Sequence, residues 1–233
     1  MTQNTSPAVM AQRHEPHDSL DFFPTPPWAT RALVEHVLIG GGWSREQIAA
    51  ATAWDPACGE GHMVRPLRES FRAVGASDVH DYGFGSVIDF LFSSHVKNVD
   101  WVITNPPFRL AAEFIERGLE TATTGVAMLV RTSFIEGVGR YQTLFSKRQP
   151  AILAPFAERV PMFKGRIDPE GSSATSYSWL VWSKELHHAG RTVVRWIPPC
   201  RKRLDRPGDY TEQAGPGLVA DVGQAVLFDG ARP

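Results

Sequence analysis

One segment, a β-branched run that ends at two prolines, constrains this chain more than any other feature. Val102-Ile103-Thr104 has the composition of a buried strand. The Pro106-Pro107 pair cannot continue a sheet, because proline lacks a ladder donor and its φ is fixed. We therefore expect Asn105 and Phe108 on a rigid turn at the carboxyl end of a strand. In an open α/β sheet, that edge is where ligands bind.

The chemistry of this turn suits a planar amino group. The Asn105 side-chain oxygen and the Pro106 carbonyl can accept both of its protons, while the Phe108 ring stacks on the attached base. An exocyclic amine on adenine is a poor nucleophile because its lone pair is delocalised, and two acceptors would localise that pair. Placement and electrostatics then suffice for methyl transfer from a sulfonium. The alternative is that Asn-Pro-Pro-Phe is only a strand-ending turn, as Asn-Pro dipeptides often are.

A second segment, Trp54-Asp55-Pro56-Ala57-Cys58-Gly59-Glu60-Gly61-His62, predicts a strand, a glycine loop and a helix. Gly59 and Gly61 lack Cβ atoms where a ligand approaches the backbone. The helix pattern that follows (Met63, Leu67, Phe71, Val74) offers free N–H groups to a carboxylate. The spacing is not the dinucleotide fingerprint, which needs three glycines. Asp81 lies about twenty residues after Gly61, where an acid meets ribose hydroxyls, although it also suits an ordinary turn.

A third segment, Asp21-Phe22-Phe23-Pro24-Thr25-Pro26-Pro27-Trp28, has three prolines within four residues. It predicts a stiff, extended entry to a helix from about Thr30 to Leu38. Thr25 is a candidate helix cap or hydroxyl donor. Taken alone, the segment is typical of a proline-rich connector.

Together the three segments resemble the S-adenosylmethionine-dependent amino-methyltransferases, specifically the DNA adenine-N6 methyltransferases, over about residues 20–185. Phe22–Pro26 is similar to the N-terminal cofactor motif, and Asp55–Gly61 to the glycine-loop motif. Asp89-Phe90-Leu91 resembles the segment whose acid and aromatic hold the cofactor adenine, and Asn105–Phe108 the catalytic tetrapeptide. The motif order is unpermuted, and small phage and prophage enzymes carry the same Phe-x-Pro-Thr-Pro opening.

The resemblance implies an α/β, Rossmann-like class I methyltransferase fold. Its sheet would be mixed and mostly parallel, with helices on both faces and an antiparallel strand pair at one edge. It implies methyl transfer to adenine N6 in DNA with base flipping, S-adenosylmethionine as cofactor, S-adenosylhomocysteine as product and no metal. The implied catalytic residues are Asn105, Pro106, Pro107 and Phe108. The implied cofactor-binding residues are Phe22, Phe23, Pro24, Thr25, Asp55, Pro56, Ala57, Cys58, Gly59, Gly61, Asp81, Asp89, Phe90 and Asn105.

Composition sets limits on this interpretation. A chain of 233 residues is long enough for one catalytic domain with a full core. It shows neither an apolar run that could span a membrane nor a charged-then-apolar leader, so we expect a cytoplasmic protein. Its two cysteines, Cys58 and Cys200, form neither a disulfide framework nor a zinc pattern. The oligomeric state is left open.

Charge is distributed unevenly along the chain. Residues 1–130 carry 9 Lys and Arg against 15 Asp and Glu, residues 131–203 carry 13 against 5, and residues 204–233 carry 2 against 5. The positive excess in the second part is typical of phosphate contacts to single- or double-stranded DNA. A solvated basic face is the alternative. The predicted nucleic-acid contacts are Lys164, Arg166, Arg201, Lys202 and Arg203.

The remaining elements can be placed coarsely. We expect a flexible N-terminus at 1–19, a catalytic domain at 20–200 with a small substrate-contact insertion at about 164–175, and a basic-then-acidic mobile tail at 201–233. Apolar patterning predicts helices near 110–123 and 138–146 and a central strand at 126–130. Strands are predicted at Ala151–Phe163, Ser176–Ser183 and Val193–Ile197. Because only about 50 residues follow the second of these, we expect a short or relaxed target sequence, or a need for a partner.

Two other functions stay open. One keeps the cofactor but changes the acceptor to an RNA base or a protein glutamine amide. Phe108, rather than tyrosine, argues against the glutamine enzymes. The other is a non-catalytic nucleic-acid-binding module, against which the intact Asn105, Asp55 and glycines argue.

Overall fold

The structure is a computed structural model that describes residues 21–93, 98–186 and 191–210. These residues contain one sheet of eight strands: β1 (Thr52–Asp55), β2 (Ala73–Asp78), β3 (Ser86–Val87), β4 (Val99–Thr104), β5 (Ala122–Arg131), β6 (Ile152–Pro155), β7 (Tyr177–Ser183) and β8 (Val193–Val194). The order across the sheet is β3-β2-β1-β4-β5-β7-β6-β8. Its chain order reverses between β1 and β4, which marks the switch point where ligands bind in open α/β sheets.

The first five strands are parallel, and β7 runs antiparallel to both β5 and β6. β8 pairs with β6 in parallel at the sheet edge. The predicted mixed, mostly parallel sheet with an antiparallel pair is therefore confirmed. The predicted strand Ala151–Phe163 is too long, because β6 ends at Pro155 and only Phe156 and Ala157 continue to donate, to the Tyr177 and Ile197 carbonyls.

Helices and single turns connect the strands: α1 (Pro27–Ala32), which continues as π-helix at Leu33–Ile39, α2 (Arg45–Ala50), α3 (Val64–Arg68), α4 (Ala111–Thr121), α5 (Val138–Arg140), which continues as π-helix at Tyr141–Phe145, and α6 (Arg201–Leu204). Two 3₁₀ turns span Phe108–Leu110 and Thr132–Ile135. Pro27 starts α1 at a position where its missing donor costs nothing. Ser44 and Gln47 form a capping box at the start of α2.

The alternation of side chains along β4 divides the core between the two faces of the sheet. Trp101 and Ile103 belong to the cluster that contains Trp28 of α1. Val102 points to the opposite face and packs in the cluster that contains Phe114 of α4. Both faces of the sheet are therefore covered by helices, as predicted. β4 is held rigidly up to the point where the Asn-Pro-Pro-Phe turn begins.

Two further expectations about element boundaries are wrong. The helix after the glycine loop ends at Arg68, and Val74 lies on β2 instead. The tail does not begin at residue 201, because α6 packs on α1 with Leu204 buried. Arg31 anchors this segment: its guanidinium donates to the Leu204 carbonyl at 2.7 Å and pairs with Asp209 at 2.6 Å.

The predictions for residues 1–19 and for 211–233 concern parts of the chain outside the described residues. Among the described residues, no helix is both long and apolar enough to span a membrane.

Candidate active site

The carboxyl ends of β1, β2 and β4 open into a cleft where all three predicted motifs meet. Its empty volume is about 630 Å³, including space open to solvent. The lining residues come from the N-terminal segment, the glycine loop, the end of β2 and the Asn-Pro-Pro-Phe turn at 105–108. They are Asp21, Phe22, Phe23, Pro24, Thr25, Asp55, Ala57, Cys58, His62, Met63, Asp78, Val79, Tyr82, Asn105 and Pro107.

The glycine loop has the backbone conformation that its sequence predicts. Gly59 and Gly61 have φ values of +49° and +80°, which side chains rarely adopt. A Cβ atom on Gly59 would collide with the Phe22 ring, and one on Gly61 would collide with Phe84. Each of these glycines therefore lies against an aromatic ring of the protein, with no room for a side chain.

Two carboxyl groups lie at the floor of the cleft. Asp55 ends β1 with 1% of its surface exposed and accepts a hydrogen bond from the Ala57 amide at 3.2 Å. Its burial raises the pKa of Asp55 to about 7. Asp78 ends β2 and accepts from the Gly59 amide at 3.0 Å, and burial raises the pKa of this carboxyl also. This part of the cleft is suited to a ligand that carries hydroxyl groups and positive charge.

Asp81 is not brought into the cleft. It is exposed, and its carboxylate accepts from the Gly83 amide at 2.8 Å in a local turn. Asp78 occupies the strand end that we expected for Asp81. The reason is that α3 has only five residues, so β2 begins and ends earlier than the usual spacing assumes. A signal that could have pointed to Asp78 is an acid directly after the small and apolar run at 73–77.

Asp89 and Phe90 also lie elsewhere. Asp89 is exposed and accepts from the Leu91 amide. Phe90 is 2% exposed and packs in the core, with its ring centroid 5.0 Å from that of Trp54 and 5.1 Å from that of Phe114. Two other aromatic residues, Phe22 and Tyr82, line the cleft, and their ring centroids are 4.8 Å apart. Tyr82 was not predicted, and no sequence pattern singles it out.

The N-terminal segment orients the side-chain amide of Asn105. Asn105 Nδ2 donates to the Phe23 carbonyl at 2.9 Å and lies 3.1 Å from Thr25 Oγ1. A carbonyl can only accept, so the NH₂ group must face this segment. Asn105 Oδ1 consequently points the other way, and it is buried without a hydrogen-bond partner among the described residues. A buried acceptor of this kind is costly unless a ligand supplies a donor.

The Phe108 ring is half-buried beside other planar groups. The Phe108 amide donates to the Asp21 carboxylate at 2.7 Å. The ring centroid lies 5.0 Å from that of Phe23 and 6.4 Å from that of Tyr177, and the Arg131 guanidinium carbon lies over the ring at 4.1 Å. Pro106 is buried behind the turn, and the Pro107 carbonyl accepts from Leu110 at 2.9 Å.

The basic residues predicted to bind nucleic acid do not line the cleft. Arg201 donates to the Pro169 carbonyl and lies 3.6 Å from Asp205. Arg203 pairs with Glu35 at 2.5 Å. The remaining members of the predicted set are Lys202, which is exposed, Lys164, which is half-buried, and Arg166, which lies 3.6 Å from Asp168. The two arginines of α6 thus hold parts of the protein together, and their role in nucleic-acid binding stays a prediction.

The described residues contain no group of three or more histidine, cysteine or acidic side chains placed to hold a metal ion.

Comparison with known proteins supports the fold. No protein-family model and no curated protein matches the chain. A protein described as an RNA methyltransferase from Pyrococcus horikoshii matches at a TM-score of 0.54 and 16% identity, over 76% of this chain and 95% of its own. A modification subunit described for a type I restriction enzyme of Vibrio vulnificus matches at 0.51 and 15%, over 82% of this chain and 50% of that one. This chain therefore spans half the length of that subunit. The fold is that of the Rossmann-like class I methyltransferases.

Proposed function

We propose that this chain is an S-adenosylmethionine-dependent methyltransferase that modifies the N6 amino group of adenine in DNA. The observation that carries the proposal is the buried, unpartnered Asn105 Oδ1 at the carboxyl edge of β4. It lies in the same cleft as a glycine loop and two carboxyl groups.

The residues of the cleft fit this cofactor. Phe22, which lies against Gly59, and Tyr82 provide aromatic faces beside the glycine loop. Asp78 is placed to accept hydrogen bonds from ribose hydroxyls, and Asp55 to face positive charge. When bound, the cofactor supplies a methyl group on a sulfonium, whose leaving group is neutral. Predicted contacts at Asp81, Asp89 and Phe90 are replaced in this proposal by Asp78 and Tyr82.

The acceptor side of the cleft provides hydrogen-bond acceptors rather than a base. Asn105 Oδ1 and the Pro106 carbonyl would each accept a hydrogen bond from one N6–H group. The lone pair of the amine would then be available to attack the methyl carbon. The Asn105 amide is already held by the Phe23 carbonyl and Thr25. Because this orientation exists before substrate binds, little reorganisation is needed in the transition state.

A nucleic-acid acceptor is supported by the Phe108 ring, which offers a stacking partner to an extruded base. The two structural matches above are described as acting on RNA and in restriction-modification, respectively. An amino group on an RNA base is thus the second candidate. Phe108, rather than tyrosine, argues against a protein glutamine.

Methyl transfer from tritiated S-adenosylmethionine into single-stranded DNA, duplex DNA, RNA and protein tests the proposal, with nucleoside analysis of the labelled product. We expect label in N6-methyladenine from DNA, and none with Asn105→Ala. Label confined to RNA would move the proposal to the second candidate. Label confined to protein, or no transfer at all, would overturn it.

A further inference from the structure

The side chain of Arg131 lies over the Phe108 ring, beside the Asn-Pro-Pro-Phe turn. It is the last residue of β5, the strand next to β4 in the sheet. The register pairs Thr104 with Met128, so Arg131 and Pro107 both lie three residues beyond that pair. The planar guanidinium of Arg131 consequently covers one face of the Phe108 ring, 4.1 Å from its centroid. At this distance, a cation–π contact holds the guanidinium against the Phe108 ring.

The charge of Arg131 is not neutralised there. Among the described residues it forms no ion pair, and its Nε is buried without an acceptor. Its guanidinium interacts with the Tyr177 hydroxyl, which is neutral at ordinary pH because burial raises the pKa of Tyr177. The Asp21 carboxylate accepts from the Phe108 amide and forms no ion pair with Arg131 among the described residues. By contrast, the buried guanidinium of Arg31 has two carboxylate partners.

A half-buried arginine with unused donors is suited to an anion, since its fork of N–H groups matches an oxyanion. We propose that Arg131 binds a backbone phosphate next to the extruded nucleotide, while its contact with Phe108 places that phosphate relative to the base. This assignment rests on the proposed function, because it presupposes a nucleic acid in the cleft. It adds a backbone contact at the target nucleotide itself.

The segment that follows Arg131 exposes apolar and aromatic side chains, as surfaces that bind a partner do. Ile135, Val138 and Tyr141 are 41%, 75% and 62% exposed. Apolar and aromatic side chains beside arginine are typical of surfaces that stack on or wedge between bases. The phosphate contact of Arg131 would therefore lie at the inner end of a surface that continues outward along α5.

The test uses an oligonucleotide that the wild-type protein methylates at one adenine. The phosphates on the two sides of that adenine are replaced, one at a time, by uncharged methylphosphonate. Binding is measured by fluorescence anisotropy over a range of salt concentrations, with S-adenosylhomocysteine present. The variants are Arg131→Gln, Arg131→Lys and the control Arg45→Gln. Arg45 is an exposed arginine on α2, which leads into the amino end of β1.

For Arg131→Gln, we expect roughly tenfold to hundredfold weaker binding, the usual effect of losing a charged hydrogen bond. The salt slope should decrease by about 0.7 for a single strand or 0.9 for a duplex. One of the two methylphosphonates should weaken binding by the wild-type protein but not by Arg131→Gln. Arg131→Lys should keep most of the salt slope, and Arg45→Gln should behave as the wild type.

An unchanged salt slope in Arg131→Gln, or equal sensitivity of that variant and the wild type to both methylphosphonates, would overturn the phosphate assignment. In that case, any loss of affinity would reflect packing against Phe108. The proposed function is judged separately, by methylation of the parent oligonucleotide. If the wild-type protein neither methylates nor binds any nucleic acid, the proposed function and this inference both fail.

Discussion

The carbonyl oxygen of Phe23 accepts a hydrogen bond from Asn105 Nδ2 at 2.9 Å, which determines the orientation of the Asn105 amide. The two residues are 82 positions apart in the chain. The segment that contains Phe23 also packs against the glycine loop through Phe22. A single extended segment thus contacts both halves of the cleft, and the acceptor geometry depends on its position.

Replacing Asn105 by alanine should abolish most of the activity while leaving the affinity for S-adenosylmethionine nearly unchanged. The lost acceptor matters most in the transition state, so kcat should fall by roughly two to three orders of magnitude. Single-turnover kinetics and calorimetry measure the two effects. Asn98→Ala, an exposed asparagine at the amino end of β4, is the control. Turnover within a few-fold of the wild type would refute the role of Asn105.

Replacing Thr25 tests the orientation of Asn105 rather than its presence. Thr25→Val removes the hydroxyl next to Asn105 Nδ2, and we expect kcat to fall by about twofold to tenfold, as for one lost hydrogen bond. Thr25→Ser keeps the hydroxyl and should restore kcat. A change confined to KM for the cofactor, equal in both variants, would show that Thr25 acts through cofactor binding alone.

Replacing Gly59 by valine should weaken S-adenosylmethionine binding by roughly tenfold or more, because a side chain there collides with Phe22 and closes the loop. Gly83→Ala is the matched control. Gly83 also has a positive φ, +72°, but a Cβ there meets no atom within 4 Å. Calorimetry of cofactor binding should therefore show a loss of affinity for Gly59→Val, which combines strain with a clash, and little loss for Gly83→Ala, which has the strain alone. Equal losses in both variants would remove Gly59 from the cofactor site.

Asp55 should make the folded protein less stable as pH rises. Burial raises its pKa from 3.8 to about 7, so the folded state retains a proton that the unfolded state loses at lower pH. The associated stability is complete below about pH 4 and is lost as pH rises to about 7. Asp55→Asn has no such proton, so the free energy of unfolding of the variant, relative to the wild type, should increase over this range and then level off. Denaturant titrations at several pH values measure this difference.

Asp100 provides the opposite case. Burial raises its pKa, but hydrogen bonds from Thr52 and Thr123 outweigh that effect and leave it lowered. Its contribution to stability is therefore present at neutral pH and is lost as the pH falls through the lowered pKa. A pH dependence of the same sign for Asp55→Asn and Asp100→Asn would contradict the burial argument for Asp55.

Replacing Phe108 by alanine should reduce the affinity for nucleic acid by about 1–3 kcal/mol if the ring stacks on a base. Phe108→Trp should keep much of that affinity and of the rate, since it keeps a planar face. Mismatched and single-stranded substrates should be modified well, because less pairing is broken on extrusion. Phe92→Ala, at a residue 85% exposed, is the control. Equal behaviour of the alanine and tryptophan variants would indicate a structural role for Phe108.

The sequence alone determined the features that depend on local chemistry. The strand before Asn105 and its termination follow from β-branched residues and two prolines. The positive φ of Gly59 and Gly61 agrees with the freedom of glycine to adopt conformations that other residues rarely take. The strand order could be anticipated only through resemblance, and the structure confirms the mixed sheet.

Only the tertiary structure decided which acid and which aromatic rings line the cleft. Asp78 replaces Asp81 because the short α3 shifts β2, and Phe90 turns into the core against Trp54. Likewise, the α6 arginines pair within the protein, whereas Arg131 lies over Phe108. Contacts of this kind join residues far apart in the chain. They depend on helix lengths, strand register and side-chain packing together, and no local pattern in the sequence records that combination.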